Sequence, residues 1–193
     1  MNARSSSMVD SQLICDFVNT LHKDPAGDEE LLRTPAALSS WLAEHGLAAP
    51  RRATAADLAR AVELREALRR LLLANNGVES GAEGAYAVLD AAARRGRVEL
   101  RFADGAPQLA PAASGVPGAL GRIVAAVHGA VADGSWPRLK ACRARDCEWA
   151  FVDRARNQSR AWCSMRSCGN REKARSFRRR HLHAPETRGD RGS

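Results

Sequence analysis

Residues 142–173 read CRARDCEWAFVDRARNQSRAWCSMRSCGNREK and contain four of the five cysteines in this chain of 193 residues. The four form two pairs, each with four residues between its members, and 15 residues separate the pairs. Four thiolates complete the tetrahedral shell of a structural Zn²⁺ ion and leave no open position for catalysis. The spacing therefore predicts one structural zinc ion, held by Cys142, Cys147, Cys163 and Cys168. The alternative is a set of ordinary buried thiols.

The segment between the two pairs has the pattern of a small β-hairpin. Residues 148–153 alternate like a strand, residues 160–163 can return antiparallel to them, and residues 154–159 would form the turn. A helical pattern follows over residues 171–181. This order predicts a treble-clef-like zinc finger over residues 138–183. Because so small a unit has little core of its own, the metal would contribute about 10 kcal/mol to its folding.

Positive charge is concentrated in this C-terminal part of the chain. Residues 1–137 hold 14 Lys and Arg against 16 Asp and Glu, whereas residues 138–193 hold 16 against 6. A neutral domain followed by a basic one indicates a polyanionic partner for the basic part.

The helix after the last cysteine carries most of the candidate nucleic-acid contacts. Four arginines at spacings i, i+4, i+7 and i+8 would share one face, and two further basic residues flank them. Such a face suits phosphates and guanine edges in double-stranded DNA, and the alternative is a solvated surface. Ala174 and Phe177 are expected to pack back onto the finger. The predicted DNA-binding residues are Arg171, Lys173, Arg175, Arg178, Arg179 and Arg180. His181 and His183 are interpreted as surface histidines rather than zinc ligands.

The N-terminal part predicts a mostly helical domain over residues 11–135, between a disordered lead (1–10) and the finger, with a disordered tail at 184–193. Helical spacing recurs over residues 11–23, 35–45, 55–74, 82–95 and 117–133, with capping residues at Thr34 and Thr54. A β-hairpin is expected around Asp104-Gly105. The predicted fold class is α+β: a mostly helical domain with a small β-hairpin or sheet, and a C-terminal zinc finger.

Two motifs resemble known families. Residues 142–173, and above all Cys168-Gly169-Asn170-Arg171, resemble the CGNR zinc finger family, in which the four cysteines bind zinc and the next helix is thought to contact DNA. The segments LICDFVNT (13–20) and ELREAL (63–68) resemble the ABATE domain of stress-induced transcription regulators. The resemblance implies a bacterial one-component regulator with an N-terminal sensing or assembly domain and a C-terminal DNA reader.

A polar cluster in the first helical segment is a candidate effector site. Asp16, Asn19 and Thr20 share a helix face, and Arg65 in the leucine-rich helix is the expected partner of Asp16. Two interpretations stay open: a buried network that joins two helices, and a pocket for a small-molecule effector. Cys15 is expected to be a core thiol, with a redox switch as the alternative.

Composition also narrows the function classes. With 45% apolar residues a core can form, but no uninterrupted apolar run of membrane-spanning length is seen, and the start lacks the apolar segment of a secretion signal. We therefore expect a cytoplasmic protein, nucleoid-associated when bound to DNA. No catalytic set is recognised, so an enzyme is not expected. The alternative function is an RNA- or protein-binding module, and a homodimer is plausible because one short reading helix gives little specificity.

Overall fold

The computed structural model describes residues 3–47, 52–103 and 106–182, and the side chains of residues 9–47, 52–102 and 106–181. More than half of the described residues are helical, and the strands form small antiparallel sheets, which confirms the predicted α+β class. The Asp104-Gly105 turn, His183 and the tail at 184–193 lie outside the described residues.

The described residues form six α-helices and three two-stranded antiparallel sheets. The helices are α1 (Ala3–Val18), α2 (Pro35–Glu44), α3 (Ala55–Asn75), α4 (Glu83–Gly96), α5 (Gly115–Ala132) and α6 (Asn170–Leu182). The paired strands are β1 (Leu21–His22) with β2 (Glu29–Glu30), β3 (Val98–Ala103) with β4 (Ala106–Pro111), and β5 (Leu139–Ala141) with β6 (Ala150–Val152). A 3₁₀ turn (Trp136–Arg138) precedes β5 and a π-helical turn (Met165–Gly169) precedes α6.

The predicted capping residues define two of the helix starts. The Thr34 hydroxyl accepts a hydrogen bond from the Ala37 amide, and Pro35 follows at the first helical position of α2. Thr54 and Asp57 form a reciprocal capping box at the start of α3. Local sequence therefore sets these two boundaries, as expected.

Helix α1 differs from its prediction. It begins at Ala3 rather than Ser11, so the expected disordered lead over residues 1–10 is wrong from residue 3 onward. The serine-rich composition pointed to an irregular segment, but tertiary contact supports the helix there. Asp10 pairs with Arg122 of α5 at 2.6 Å. This ion pair attaches α1 to α5 about one turn before Leu13, the first buried apolar residue of α1.

Helix α5 is the central helix of the N-terminal part. It packs against α1 and α4, and it approaches α4 so closely that a Cβ on Gly96 would lie 2.8 Å from the Cα of Gly121. Among the described helices, α5 has the length and apolar composition for a membrane span, and 56% of this helix is buried inside the protein. A core helix with these contacts meets the same criteria without any membrane.

The hydrophobic core continues from the helical part into the finger. Leu139 and Ala141 of β5 and Ala150 of β6 are buried in the same cluster as Phe17 and Leu72. Strand β5 packs against α3, and β6 packs against α1. The predicted boundary at Trp136-Pro137 is therefore crossed by a continuous core.

Buried polar side chains also join the two parts. The guanidinium of Arg69, which is 2% exposed, donates to the carbonyls of Val18 (2.7 Å), Leu21 (3.2 Å) and Glu148 (3.0 Å). The Asn76 amide donates to the carbonyls of Ala141 and Ala161. We call this set of contacts between α1 or α3 and the finger the junction.

The predicted hairpin inside the finger is wrong. Strand β6 pairs with β5, with Leu139 opposite Val152 and Ala141 opposite Ala150, and residues 160–163 form no strand. All three residues of β5 are buried in this pairing, whereas Arg160 is exposed and residues 161–163 are half-buried. Residues 160–163 are instead held by isolated hydrogen bonds, including the one that the Arg143 amide donates to the Ala161 carbonyl at 3.2 Å.

Candidate metal centre and basic helix

The four predicted cysteines converge on one point. Their sulfur atoms all lie within 4.8 Å of one another, and Cys163 Sγ is 3.5 Å from Cys147 Sγ and 3.6 Å from Cys168 Sγ. A tetrahedral zinc site with Zn–S bonds of about 2.3 Å places its sulfurs about 3.8 Å apart. Disulfide sulfurs would lie about 2.05 Å apart. The geometry fits one metal ion held by four thiolates.

The first cysteine turn is set by backbone geometry. Strand β5 ends at Ala141 and delivers Cys142, and the amides of Cys147 and Glu148 both donate to the Ala144 carbonyl, at 2.9 and 3.1 Å. Glu148 adopts a left-handed conformation with φ of 48°. This reversal returns the chain into β6, where the Cys142 amide bonds to the Trp149 carbonyl at 3.0 Å. Both sulfurs of the pair therefore face the same side.

The second turn carries Cys163 and Cys168 into the basic helix. The Ser164 hydroxyl accepts from the Ser167 amide at 3.4 Å, and the Ser164 carbonyl accepts from the Gly169 amide at 3.0 Å. A wide π-helical turn between these residues spaces the two sulfurs. Helix α6 begins directly after it, so the metal centre fixes the start of α6.

Electrostatics also favours a cation at this point. Hydrogen bonds from the thiols of Cys147 and Cys163 lower the pKa of Cys142 to about 2. The same contact with Cys142 raises the pKa of Cys147 to about 12 and also raises the pKa of Cys163. The first thiolate thus opposes the ionisation of its neighbours. A bound dication removes that repulsion and allows all four thiolates to form.

A buried ion pair supports the segment that leads to Cys163. Asp153 is fully buried and accepts hydrogen bonds from Lys140 Nζ at 2.8 Å, from the Ala155 amide at 2.9 Å and from the Arg160 amide at 3.0 Å. Burial alone would raise the pKa of Asp153, but these three donors outweigh it and lower that pKa. Sequence reasoning missed this pair, because nothing in the local pattern shows that the two residues are neighbours across β5 and β6.

Two of the predicted DNA-binding arginines face the first cysteine turn. Arg175 Nη2 lies 2.6 Å from Asp146 Oδ2, and Arg171 Nη2 lies 3.5 Å from Asp146 Oδ1. Arg175 also pairs with Glu172 at 2.6 Å. The hydrogen bond from Arg175, together with the charge of Arg171, lowers the pKa of Asp146. These arginines attach α6 to the metal centre.

The remaining basic residues of α6 take no part in these contacts with Asp146. Lys173, Arg178, Arg179 and Arg180 are exposed. The expected packing of Ala174 and Phe177 onto the finger is wrong, since Ala174 is exposed and Phe177 is 54% exposed with its ring 3.9 Å from that of His181. The pairs with Asp146 occupy the inward side of α6 instead.

The predicted effector residues do not form one cavity. Asp16 does not pair with Arg65 as expected; it accepts from Gln12 at 2.8 Å and lines a surface cavity with His45 and Arg122. Asn19 instead forms two hydrogen bonds with the backbone of Ala150 in β6, of 2.7 and 3.0 Å. Asn19 is therefore part of the junction.

Arg65 and Thr20 belong to a buried ion-pair network. Arg65 is 2% exposed and pairs with Glu30 at 2.7 Å and with Glu66 at 2.8 Å, and it donates to the Thr20 hydroxyl at 3.3 Å. Carboxylates closer than Asp16 neutralise the arginine, which explains why the expected pair does not form. This arrangement supports the interpretation of Thr20 and Arg65 as a structural network.

Comparison with sequence models of protein families gives two matches. Residues 138–181 match the CGNR zinc finger, and residues 11–134 match ABATE, described as "Putative stress-induced transcription regulator". The second match covers well over half of the chain. The protein belongs to the ABATE family. A search of curated proteins finds no match. Together with the cysteine geometry, the CGNR match identifies the metal of this ABATE protein as zinc.

Each letter of the CGNR motif has a physical role in this ABATE protein. Cys168 is a metal ligand, and a Cβ on Gly169 would lie 2.7 Å from Met165 Sδ and 3.2 Å from Trp162 Cδ1. The Asn170 amide donates to the Arg166 carbonyl at 3.2 Å. Arg171 donates to Cys168 Sγ at 3.4 Å and thereby stabilises a thiolate. The motif joins the metal ligand to the start of α6.

Proposed function

We propose that this ABATE protein is a zinc-dependent transcription regulator that binds double-stranded DNA through helix α6. The observation that carries the proposal is the position of α6. Its first two turns are attached to the metal centre through Arg171 and Arg175, while its basic residues at 173 and 178–180 remain exposed. A helix held rigidly at one end, with arginines free at the other, suits phosphate contacts and guanine recognition.

The test begins with capture of fragmented bacterial DNA by the zinc-loaded protein, followed by titration of a recovered duplex at several salt concentrations. If the four exposed basic residues each contact a phosphate, log K should fall with log salt at a slope of about −3.6. Arg178→Ala should weaken binding, reduce that slope by about 1 and leave the zinc content unchanged. A non-cognate duplex measures the sequence-independent part of the affinity.

A matched control is Arg94→Ala, which removes an exposed arginine from α4 in the N-terminal part. Arg175→Ala is a less clean test, because it also removes the ion pair with Asp146. Equal loss of DNA affinity in the variants at 94 and 178 would show only a non-specific charge effect. Retention of full affinity in the variant at 178 would contradict the role of α6.

The alternative is a finger that binds RNA or another protein. Exposed Phe177 is the observation that favours RNA, because a base can stack on its ring. Trp149, Phe151 and Trp162 are less available for stacking, since they pack against the cysteine cluster. Competition between duplex DNA and single-stranded RNA distinguishes the two, and stronger binding to RNA that is lost in Phe177→Ala would support the alternative.

The wider properties of the protein follow from the same proposal. We propose a binding role rather than a catalytic one, in the cytoplasm of a bacterium, with association to the nucleoid when DNA is bound. Recognition by one short helix favours a homodimer, which light scattering of the zinc-loaded protein checks. We also propose that the N-terminal part senses a small effector.

A further inference from the structure

We propose that a cavity between helix α3 and the first cysteine turn binds a small organic anion that carries a carboxylate or phosphate group. The cavity has a volume of about 480 Å³, within the range of small-molecule sites. Its charged lining comes from both sides of the junction: Lys23, Glu66, Arg69, Arg70 and Glu79 on one side, and Arg143, Arg145 and Glu148 on the other.

The charges that line this junction cavity leave an excess of arginine. Lys23 is paired with Glu148 at 2.6 Å, and Arg69 is paired with Glu66 at 3.0 Å. Once these internal pairs are set aside, three arginines remain in the lining against one glutamate. They are Arg70, Arg143 and Arg145, against Glu79.

The remaining arginines lack protein acceptors for much of their hydrogen-bonding capacity. Arg70 Nε is buried and has no hydrogen-bond partner among the described residues. This nitrogen is too buried to reach a ligand itself, but the guanidinium to which it belongs lines the cavity, and no ion pair of Arg70 is found among the described residues. Arg143 donates from Nε to the Asn76 carbonyl at 2.7 Å, and no ion pair of Arg143 or Arg145 is found in the described part of the chain.

One arginine is also fixed in place. Gly77 has a left-handed φ of 70°, and a Cβ there would lie 3.1 Å from Arg143 Nη2. The guanidinium therefore rests against bare backbone, with its Nε bond to Asn76 setting its orientation. Planar guanidinium groups bind carboxylates and phosphates through two parallel hydrogen bonds. Leu73 and Val78 add an apolar wall, so the ligand class is an organic anion rather than a bare ion.

The position of the junction cavity connects it to helix α6. Arg143 and Arg145 lie on the same cysteine turn as Asp146, the residue that holds Arg171 and Arg175 of α6. An anion bound between α3 and this turn would therefore change the support of α6. This regulatory consequence rests on the proposed DNA-binding function, whereas the binding of the anion itself does not.

The experiment measures anion binding by calorimetry on the zinc-loaded full chain, without DNA and at constant ionic strength. The probes are pyrophosphate, phenyl phosphate, citrate and benzoate, so that the two headgroup classes are compared directly. We expect saturable binding at one site by at least one class. Arg70→Ala and Arg145→Ala should each weaken it about tenfold or more, as loss of a charged hydrogen bond does.

The matched control is Arg94→Ala, which removes an exposed arginine from α4, outside both the cavity and α6, and should leave anion affinity unchanged. Absence of saturable binding by all four probes would overturn the proposal. Equal weakening in the variants at 94 and 145 would also overturn it, because it would indicate only a general effect of net charge.

A separate DNA titration distinguishes this inference from the proposed function. Anion binding without DNA binding would support the anion site in the cavity and contradict the proposed function as a DNA-binding regulator. If Arg70→Ala weakened duplex DNA binding while no small anion bound, the cavity would be part of the DNA interface and the proposal would fall. A saturating anion should shift DNA affinity in the wild type and not in Arg70→Ala; no shift would refute the effector role.

Discussion

Replacement of Asp153 by alanine is expected to destabilise the whole protein by about 3–5 kcal/mol, the usual effect of leaving one member of a buried ion pair without its partner. Lys140, which is 5% exposed, would lose its carboxylate and keep only the Gln158 carbonyl as acceptor. The amides of Ala155 and Arg160 would also lose their acceptor. Because β5 lies in the continuous core, the cost should appear in global unfolding.

The assay is urea denaturation of the zinc-loaded protein, combined with zinc affinity from chelator competition. Affinity should fall in Asp153→Ala, because Asp153 holds Arg160, three residues before the ligand Cys163. The double variant Lys140→Met/Asp153→Asn removes both charges and keeps one acceptor. It should recover most of the stability, as neutral replacements of buried pairs often do.

The pH dependence follows from the direction of the pKa shift. The pKa of Asp153 in the folded protein is lowered, so its stabilisation is complete above the ordinary aspartate pKa of about 3.9 and is lost only as pH falls below that value. The difference between wild type and Asp153→Asn should thus be constant from about pH 8 to pH 5. A loss under about 1 kcal/mol in Asp153→Ala, or no recovery in the double variant, would refute the reasoning.

Four further predictions test other parts of the structure. Cys147→Ser should release zinc and unfold the parts of the finger that the metal centre holds, residues 142–149 and 163–182, as seen by elemental analysis and amide exchange; one retained equivalent of zinc would contradict the ligand set. Asn76→Ala should lower the free energy of unfolding by about 1–3 kcal/mol in urea denaturation, because two carbonyls lose their donor. Asp16→Ala should lower it by less than about 0.5 kcal/mol in the same assay, because its hydrogen bond is exposed. Cys15, whose pKa is raised to about 12 mainly by burial, should resist alkylation at pH 8 in the folded protein, as mass spectrometry can show; rapid modification would instead favour the redox switch.

Local sequence signals predicted the features that short-range physics controls. The capping residues at Thr34 and Thr54, the helical periodicities and the two equal cysteine spacings each depend on neighbours within a few positions. The four ligands of the metal centre were therefore predictable. So was the presence of a basic helix directly after Cys168.

Most of the errors concern partners that are distant in sequence. Residues 148–153 show the alternation of a strand, but this pattern does not reveal that β5 rather than residues 160–163 pairs with it. Helical spacing placed Asp16 within reach of Arg65, while Glu30 and Glu66 lay closer in the folded protein. Asp146 was missed because a single carboxylate within a basic turn gives no signal of the helix that it will hold.

The junction bears on how such proteins can be divided and recombined. In a fragment that starts at residue 138, Leu139, Ala141 and Ala150 would be exposed to solvent. The carbonyls of Ala141 and Ala161 would also lose Asn76 as their hydrogen-bond donor. Exchange of the finger with that of a relative would have to carry the matching surface of α3. We expect inheritance to have kept the two parts together, as one unit rather than interchangeable modules.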